Sequence, residues 1–415
     1  MRCLLCLLIV FVAADFSFAQ QDLSLRQQTG QARPRGGTGS RLATYDTATG
    51  ETFFAFSLKP AGVSPSDKAR EIVVLVDTSA SQTGAYKDES VEALEALIDG
   101  LSDRDRVDIL AVDLLAIPMM PGLRAPRAAN VREGIDRLKK RVPLGATDLP
   151  ICLQMAVKRF SRQRRSRVVL YIGDGISGAN SLDLKESRQL LEMLVREQVS
   201  VSSFALGPQL DVQLLAALAN HTGGTVAVDN DEISPQQAGL GLSRAVRATV
   251  CWPQQVKKPA AFTKVLPVRI PPFRSDRDTI LIGQMKRTSN VALAIKVIAD
   301  GKSQILRWSV PVEKTHDDFS FLPQLVREAQ PSGGVALPTV GSVGLREVAR
   351  MITSTADELL KVAKRSLSNG DLEGARRVAD AVLRRDPNHP EAQLVKKAIA
   401  KQKKKKVSGR LRKKK

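Results

Sequence analysis

The stretch "VVLVDTSASQTG", Val73 to Gly84, places an aliphatic run directly before Asp77, Ser79 and Ser81. A short apolar run bounded by charge is typical of a strand that is covered on both faces. Residues two apart in an extended loop project the same way, so these three side chains are expected to converge. Three hard oxygen donors at one point suit a hard cation.

The sequence after this run alternates between apolar strands and segments of helical periodicity. This alternation predicts an α/β fold with a doubly wound, mostly parallel sheet over residues 66–235. Further strands are predicted at 106–113, 167–174, 199–207 and 225–228. Helices are predicted at 91–101, 128–142, 149–160, 182–197 and 210–224.

Two more oxygen donors are predicted to lie at the same edge of this sheet. Thr147 stands in the loop "PLGATD", and Asp174 ends the strand "RVVLYIGD". Ligands of open parallel sheets bind outside the carboxyl ends of the strands. The serines alone could instead cap a helix or satisfy a loop. Asp148 is interpreted as a helix N-cap, and Asp113 as a structural residue or one that supports the site.

These motifs resemble the von Willebrand factor A domain and its metal-ion-dependent adhesion site. The resemblance covers roughly residues 68–235 and includes Asp77-x-Ser79-x-Ser81, the "GATD" loop, the "GDG" strand end and the closing "LDVQLLAALANHTGG". It implies that Ser79, Ser81 and Thr147 bind Mg²⁺ or Mn²⁺ directly, whereas Asp77 and Asp174 act mainly through bound water. It also implies a protein partner that supplies an exposed Asp or Glu as a further ligand.

The flanking regions differ in composition. Residues 20–50 are polar and rich in Gly, Gln and Arg, which indicates a linker. Residues 245–315 contain short apolar runs separated by polar turns, which predicts a small β-rich domain that also includes a strand at 52–58. A Pro/Gly-rich connector spans 331–342.

Residues 345–402 are predicted to be helical. They resemble one tetratricopeptide repeat, although Ser366 and Ala379 occupy positions where that repeat has larger side chains. The matching positions are Leu359, Val362, Ala363, Ala375 and Pro387. About three repeats are needed for an independent array, so this region is interpreted as a helical hairpin.

The two ends of the chain carry targeting and charge signals. Arg2, the twelve-residue apolar run of residues 3–14 and the small residues before Gln20 predict a signal peptide at 1–19. Export to the periplasm, cell envelope or extracellular space is therefore expected, with no transmembrane span. Residues 401–415 carry ten Lys or Arg and no acid, half of the net charge of +20, so 403–415 is expected to be a disordered polybasic tail. Cys152 and Cys251 are interpreted as buried thiols or, alternatively, as a bridge.

Two functions follow from these observations. The first is an exported, non-enzymatic binding or adhesion protein that uses a Mg²⁺-dependent site to bind an acidic side chain. The alternative is a structural envelope protein that binds anionic polymers through its basic tail. A metal-dependent hydrolase lacks a plausible general base beside the site. The sequence does not indicate the oligomeric state.

Overall fold

The structure, a computed structural model, describes residues 39–163, 165–180, 182–230, 232–369, 371–385, 389, 391–400 and 402. The predicted signal peptide, most of the predicted linker and the residues of the polybasic tail beyond 402 lie outside the described residues.

The first half of the fold is a six-stranded sheet with helices on both faces. Its strand order is β5-β4-β3-β6-β7-β8, parallel throughout except for the antiparallel edge pair β4–β5. The strands are β3 (Arg70–Asp77), β4 (Arg106–Val112), β5 (Ala116–Pro118), β6 (Ser166–Gly173), β7 (Val199–Ala205) and β8 (Val226–Val228). The α/β fold class predicted from the sequence is confirmed.

Six helices cover this sheet, three on each face. Helices α1 (Ala85–Gly100), α2 (Ala129–Lys140) and α6 (Pro235–Ala245) share one core, which includes alternate residues of β3. Helices α3 (Leu149–Val157), α4 (Leu184–Arg196) and α5 (Val212–Thr222) share the core on the opposite face. Because β3 is fully buried by both cores, its carboxyl end is held rigidly at the centre of the sheet edge.

Helix α6 was not predicted, and it packs in the core of the α/β unit that was expected to end at residue 235. Gly239 and Gly241 weaken its intrinsic helix propensity. The helix forms because Ser234 and Gln237 make a reciprocal capping box and because Gly239 packs closely on α1.

The close approach of α6 to α1 predicts opposite effects for two glycine substitutions. A Cβ on Gly239 would lie 2.1 Å from Ala93 O, whereas a Cβ on Gly241 would meet nothing within 4 Å. Gly239→Ala is therefore expected to destabilise the fold by about 1–3 kcal/mol through overpacking. Gly241→Ala should stabilise it by about 0.5–1 kcal/mol through helix propensity. Thermal unfolding of both variants measures this, and equal shifts would contradict the packing described.

The second half of the fold is an eight-stranded sheet in the order β10-β12-β2-β1-β14-β13-β9-β11. Its neighbours are antiparallel except for the parallel pair β1–β14. The strands are β1 (Arg41–Asp46), β2 (Thr52–Leu58), β9 (Val250–Lys257), β10 (Phe262–Leu266), β11 (Phe273–Arg274), β12 (Thr279–Met285), β13 (Asn290–Ala299) and β14 (Lys302–Thr315). The turn at Asp300-Gly301 has both φ angles positive, as a tight β13–β14 hairpin requires.

Two strands of this sheet differ from the sequence prediction. Residues 41–46, interpreted as the end of a linker, form β1 between β2 and β14. Strand β9 was not predicted, and its Pro253 is unusual inside a sheet. The structure accommodates Pro253 where the β13–β9 register shifts, between Lys296 and Val297.

Helices cover one face of this sheet and then extend from it. Helix α7 (Leu322–Ala329) and the start of α8 (Gly341–Ser368) pack on β2 and β12. The end of α8, α9 (Leu372–Arg385) and the helical residues 391–400 share a separate small core. Among the described residues, no helix combines the length and apolar character that a bilayer span requires.

Buried polar residues join the two sheets. Asn220 Nδ2 donates to Leu337 O at 3.1 Å, and His221 Nε2 donates to Gly334 O at 3.0 Å. On the other side of the junction, the Arg274 guanidinium donates to Gly223 O at 2.8 Å and to Ala245 O at 2.9 Å. The connector and the second sheet are thus bonded to the carboxyl ends of α5 and α6.

The buried imidazole at this junction predicts a pH-dependent stability. Burial, together with the nearby charge of Arg269, lowers the pKa of His221. The unfolded chain, with a His pKa of about 6.5, then binds more protons than the folded chain, so stability falls as pH drops below about 6.5. His221→Gln should show a smaller loss of thermal midpoint between pH 7.5 and pH 5 than the unmodified chain. His316→Gln, at an exposed position, is the control, and an unchanged loss in His221→Gln would refute the assignment.

Candidate functional site

The five predicted site residues lie on three loops at the carboxyl edge of the six-stranded sheet. Asp77 is the last residue of β3. Ser79 immediately precedes the short 3₁₀ turn Ala80–Gln82 that follows this strand, and Ser81 lies within the turn. Thr147 precedes α3, and Asp174 follows β6 directly. Since β3 and β6 are neighbours in register, Asp77 and Asp174 are brought to the same point of the edge.

Hydrogen bonds connect the two serines to Asp174. Ser79 Oγ and Ser81 Oγ are 2.9 Å apart, and Ser81 Oγ donates to Asp174 Oδ2 at 2.5 Å. The other oxygen, Asp174 Oδ1, accepts from the backbone N–H of Ile176 at 2.8 Å. The backbone N–H of Ile176 and the hydroxyl of Ser81 therefore orient the Asp174 carboxylate toward the serine loop.

A second set of hydrogen bonds connects Thr147 to Asp77. Thr147 Oγ1 donates to the Asp77 carboxylate and lies 3.0 Å from Oδ1 and 3.1 Å from Oδ2. Ser79 N donates to Asp77 Oδ1 at 2.8 Å, and Tyr171 OH donates to Oδ2 at 2.6 Å. The structure thus brings all five predicted side chains into one continuous network.

The two carboxylates of this network are buried and close together. Burial raises the pKa of Asp77, and the neighbouring charge of Asp174 adds to the rise. Burial also raises the pKa of Tyr171 well above its usual range, since its hydroxyl lies against Asp77. In the described part of the chain, the partners of both carboxylates are hydroxyl, amide and backbone N–H groups, with no basic side chain among them. Among the described residues, neither of these buried carboxylates has a basic partner.

A basic side chain that contacts the serine loop is paired with a carboxylate outside the candidate site. Arg141 Nη2 forms a salt bridge with Asp113 at 2.5 Å, and its Nε donates to Thr78 Oγ1 at 3.0 Å. Asp113 therefore has a structural role, as predicted. Asp148 accepts from Ile151 N at 3.0 Å and is the N-cap of α3, which confirms the second structural interpretation.

The donor chemistry fits a small, hard divalent cation. The candidate site consists of three neutral hydroxyls and two carboxylates, which are the oxygen ligands that Mg²⁺ prefers. Elsewhere in the described residues, as here, no group of three or more His, Cys, Asp or Glu side chains is arranged for a metal. The candidate site contains only two such side chains, because its other three donors are neutral hydroxyls.

Three supporting residues were not predicted. Tyr171 accepts from Gly175 N at 3.1 Å while donating to Asp77, and Gln82 Nε2 donates to Leu206 O at 3.1 Å. Gly173 allows this approach, since a Cβ there would lie 2.4 Å from Asp77 Cβ. An aromatic residue three positions before Asp174, in an otherwise aliphatic strand, was the available signal.

The cysteines contribute no ligand to this site. Cys152 and Cys251 are both buried and unpaired, so the thiol interpretation is confirmed and a bridge between them is absent. Burial raises the pKa of Cys152 to about 12 and that of Cys251 to about 11, which keeps both thiols protonated and unreactive at neutral pH.

Comparison with known families agrees with this architecture. The sequence model of the family described as von Willebrand factor type A domain matches residues 70–228. Residues 70–228 form a von Willebrand factor A-like domain. All five candidate site residues lie within the matched span of this A-like domain.

Curated relatives match a comparable share of the chain. Human inter-alpha-trypsin inhibitor heavy chain H4 is 26% identical over 184 residues, and the pig heavy chain H2 is 20% identical over 180 residues. Each match covers 41% of this chain and 19% of the relative, so the chain matches about a fifth of the length of these proteins.

Two solved structures resemble a larger part of the chain. A von Willebrand factor type A protein from Catenulispora acidiphila has a TM-score of 0.49 at 12% identity and covers 87% of this chain and 88% of its own. The ArnB paralog VWA2 from Sulfolobus acidocaldarius has a TM-score of 0.46 at 15% identity and covers 87% and 92%.

Proposed function

We propose that this chain is a non-enzymatic binding or adhesion protein that engages a protein partner through Mg²⁺ or Mn²⁺ at the A-like domain. Ser79, Ser81 and Thr147 would hold the cation directly, and Asp77 and Asp174 would act mainly through bound water. The observation that carries this proposal is the convergence of these oxygen donors around two buried carboxylates for which the described residues offer no basic partner.

The ligands that this chain supplies would leave one coordination position of the cation open for a partner protein. Three hydroxyls are neutral ligands, and the two carboxylates are shared with the donors Tyr171 and Gln82. A bound cation would supply a positive position that accepts a carboxylate oxygen from another protein. An exposed Asp or Glu is therefore the expected recognition element of the partner.

The proposal also covers export of the protein and the roles of the second sheet and of the C-terminal helices. Export through the signal peptide at 1–19 would place the domain in the periplasm, cell envelope or extracellular space. The second sheet, built from β1, β2 and the strands after residue 249, would carry the A-like domain as an insertion between β2 and β9. The helical region at 345–402 is proposed as a hairpin of tetratricopeptide type.

A second candidate function rests on the basic tail. Ten Lys or Arg within residues 401–415 favour binding of an anionic polymer, which would make the protein a structural component of the envelope. Deletion of 401–415 separates the two functions. Strongly salt-dependent binding that is lost with the tail would favour the polymer.

The main proposal is tested with displayed peptides around a fixed glutamate, selected on the full chain in Mg²⁺ and eluted with EDTA. Selected clones should bind the unmodified chain and the Thr83→Ala control, in which an exposed hydroxyl of the same loop is removed. They should not bind the double variant Ser79→Ala/Ser81→Ala. Replacement of the glutamate by glutamine should abolish their binding to the unmodified chain. Selected clones that bind Ser79→Ala/Ser81→Ala as well as they bind the unmodified chain would overturn the proposal.

A further inference from the structure

Large apolar side chains are exposed on two loops at the edge that carries the candidate site. Leu114 and Leu115, which follow β4, are 56% and 52% exposed. Val142 and Leu144, which precede Thr147, are 69% and 67% exposed. We call these four residues the apolar rim. Exposed apolar residues that cluster, rather than scatter singly, mark interaction surfaces.

Backbone hydrogen bonds fix the apolar rim against the site. Leu144 N donates to Thr78 O at 3.0 Å, and Ala80 N donates to Gly145 O at 3.0 Å, so the 142–145 loop lies alongside the serine loop. Asp148 N donates to Asp113 O at 2.8 Å, which holds the other loop beside Thr147. The salt bridge of Arg141 and Asp113 joins the two loops to each other. These contacts fix the two loops relative to each other, so the apolar rim forms one ordered surface.

The opposite side of the site is acidic. In the sheet order, β4 lies on one side of β3, and β6, β7 and β8 lie on the other. Asp229 follows β8 directly, and burial together with the charges of Asp229, Glu92 and Asp88 raises the pKa of Glu89 on α1. A partner segment that crosses the site therefore meets apolar surface on one side and negative charge on the other.

We propose that the partner segment carries a single carboxylate next to large apolar side chains, and that these side chains pack on the apolar rim. This inference rests on the proposed function and specifies the partner. A run of acidic residues is disfavoured because its further carboxylates would have to lose water against the apolar rim. Burial of the exposed parts of two rim side chains should strengthen binding by about tenfold to a hundredfold.

The sequences around the fixed glutamate in the Mg²⁺ selection test this inference. Large apolar residues should be enriched at positions next to the glutamate, and acidic residues depleted. The double variant Val142→Ser/Leu144→Ser should lose this preference and bind the selected peptides at least about tenfold more weakly. Binding by that variant should still require both Mg²⁺ and the glutamate.

A matched control is available on the other half of the molecule. Val343 and Leu394 are 70% and 62% exposed, so Val343→Ser/Leu394→Ser removes equally exposed side chains far along the chain. This control should bind like the unmodified chain. Circular dichroism and thermal unfolding of both double variants should match the unmodified chain, because all four side chains face solvent.

Three outcomes would overturn the inference. If acidic or basic residues were enriched next to the glutamate, or if no residue type were enriched there, the apolar partner segment would be rejected. The proposed cation-dependent function would still stand. A selection without Mg²⁺-dependent clones would remove both proposals. Co-sedimentation with neutral phosphatidylcholine vesicles that is lost in Val142→Ser/Leu144→Ser would assign the rim to a membrane surface instead.

Discussion

Replacement of both Ser79 and Ser81 by alanine is expected to abolish the stabilisation of this chain by Mg²⁺. A ligand present at a hundred times its dissociation constant stabilises the folded state by about 2.7 kcal/mol. For a domain of this size, that corresponds to a rise in thermal midpoint of about 5–10 °C. The unmodified chain should show this rise between EDTA and saturating Mg²⁺, and the double variant should show none.

Substitution of the serine pair should disturb the fold less than substitution of Asp77. Ser81 loses one hydrogen bond to Asp174 and Ser79 one to Ser81, so the variant in EDTA should be destabilised by only about 1–3 kcal/mol. Asp77→Ala would also leave the buried Tyr171 hydroxyl and Thr147 without their acceptor. The Thr83→Ala control should keep the full Mg²⁺ response. A response that persists without both serines would exclude them as ligands.

Arg274→Ala is expected to cause the largest loss of stability among the single substitutions considered. The Arg274 side chain is buried, donates to Gly223 O and Ala245 O, and pairs with Asp276 through Nε at 2.7 Å and Nη2 at 2.6 Å. The loss comes mainly from the hydrogen bonds of the buried guanidinium to these two carbonyls, each worth about 1.5–3 kcal/mol, because the Asp276 side chain is 40% exposed and its pairing adds little. The fall in thermal midpoint should be about 2–4 °C for each kcal/mol.

An exposed arginine pair provides the comparison for this loss. Arg350 and Glu347 form a salt bridge at 2.7 Å on the surface of α8, and exposed pairs contribute about 0–1 kcal/mol. Arg350→Ala should therefore leave the midpoint almost unchanged. If Arg274→Ala were equally mild, the junction between the two sheets would not be the stabilising contact that the geometry indicates.

The parallel sheet could be predicted from the sequence because its strands are buried on both faces. Runs such as "EIVVLVD" and "RVVLYIGD" are nearly continuous in apolar residues and alternate with amphipathic helices. Helix α6 and strand β9 were missed because Gly239, Gly241 and Pro253 weaken their local signals, although the capping box of Ser234 and Gln237 could have indicated the start of α6. Gly239 is favourable only against Ala93, and Pro253 only where the register of β13 shifts.

The site residues were identifiable for a similar reason. Asp77 and Asp174 end two strands that the topology places side by side, so their meeting follows from the fold class. The buried Tyr171 and Gln82 were not identifiable as parts of the site, because their roles depend on side-chain direction within the core. The apolar rim was also missed, since exposure of Val142 and Leu144 cannot be deduced from residue type.

Crystals of the full chain grown with Mn²⁺ would test the central claim most directly, through the anomalous signal of the metal. We expect a single peak bonded to the side-chain oxygens of Ser79, Ser81 and Thr147, with Asp77 and Asp174 beyond it. Absence of a peak at these three hydroxyls in metal-saturated crystals, or a peak held by other residues, would contradict the account.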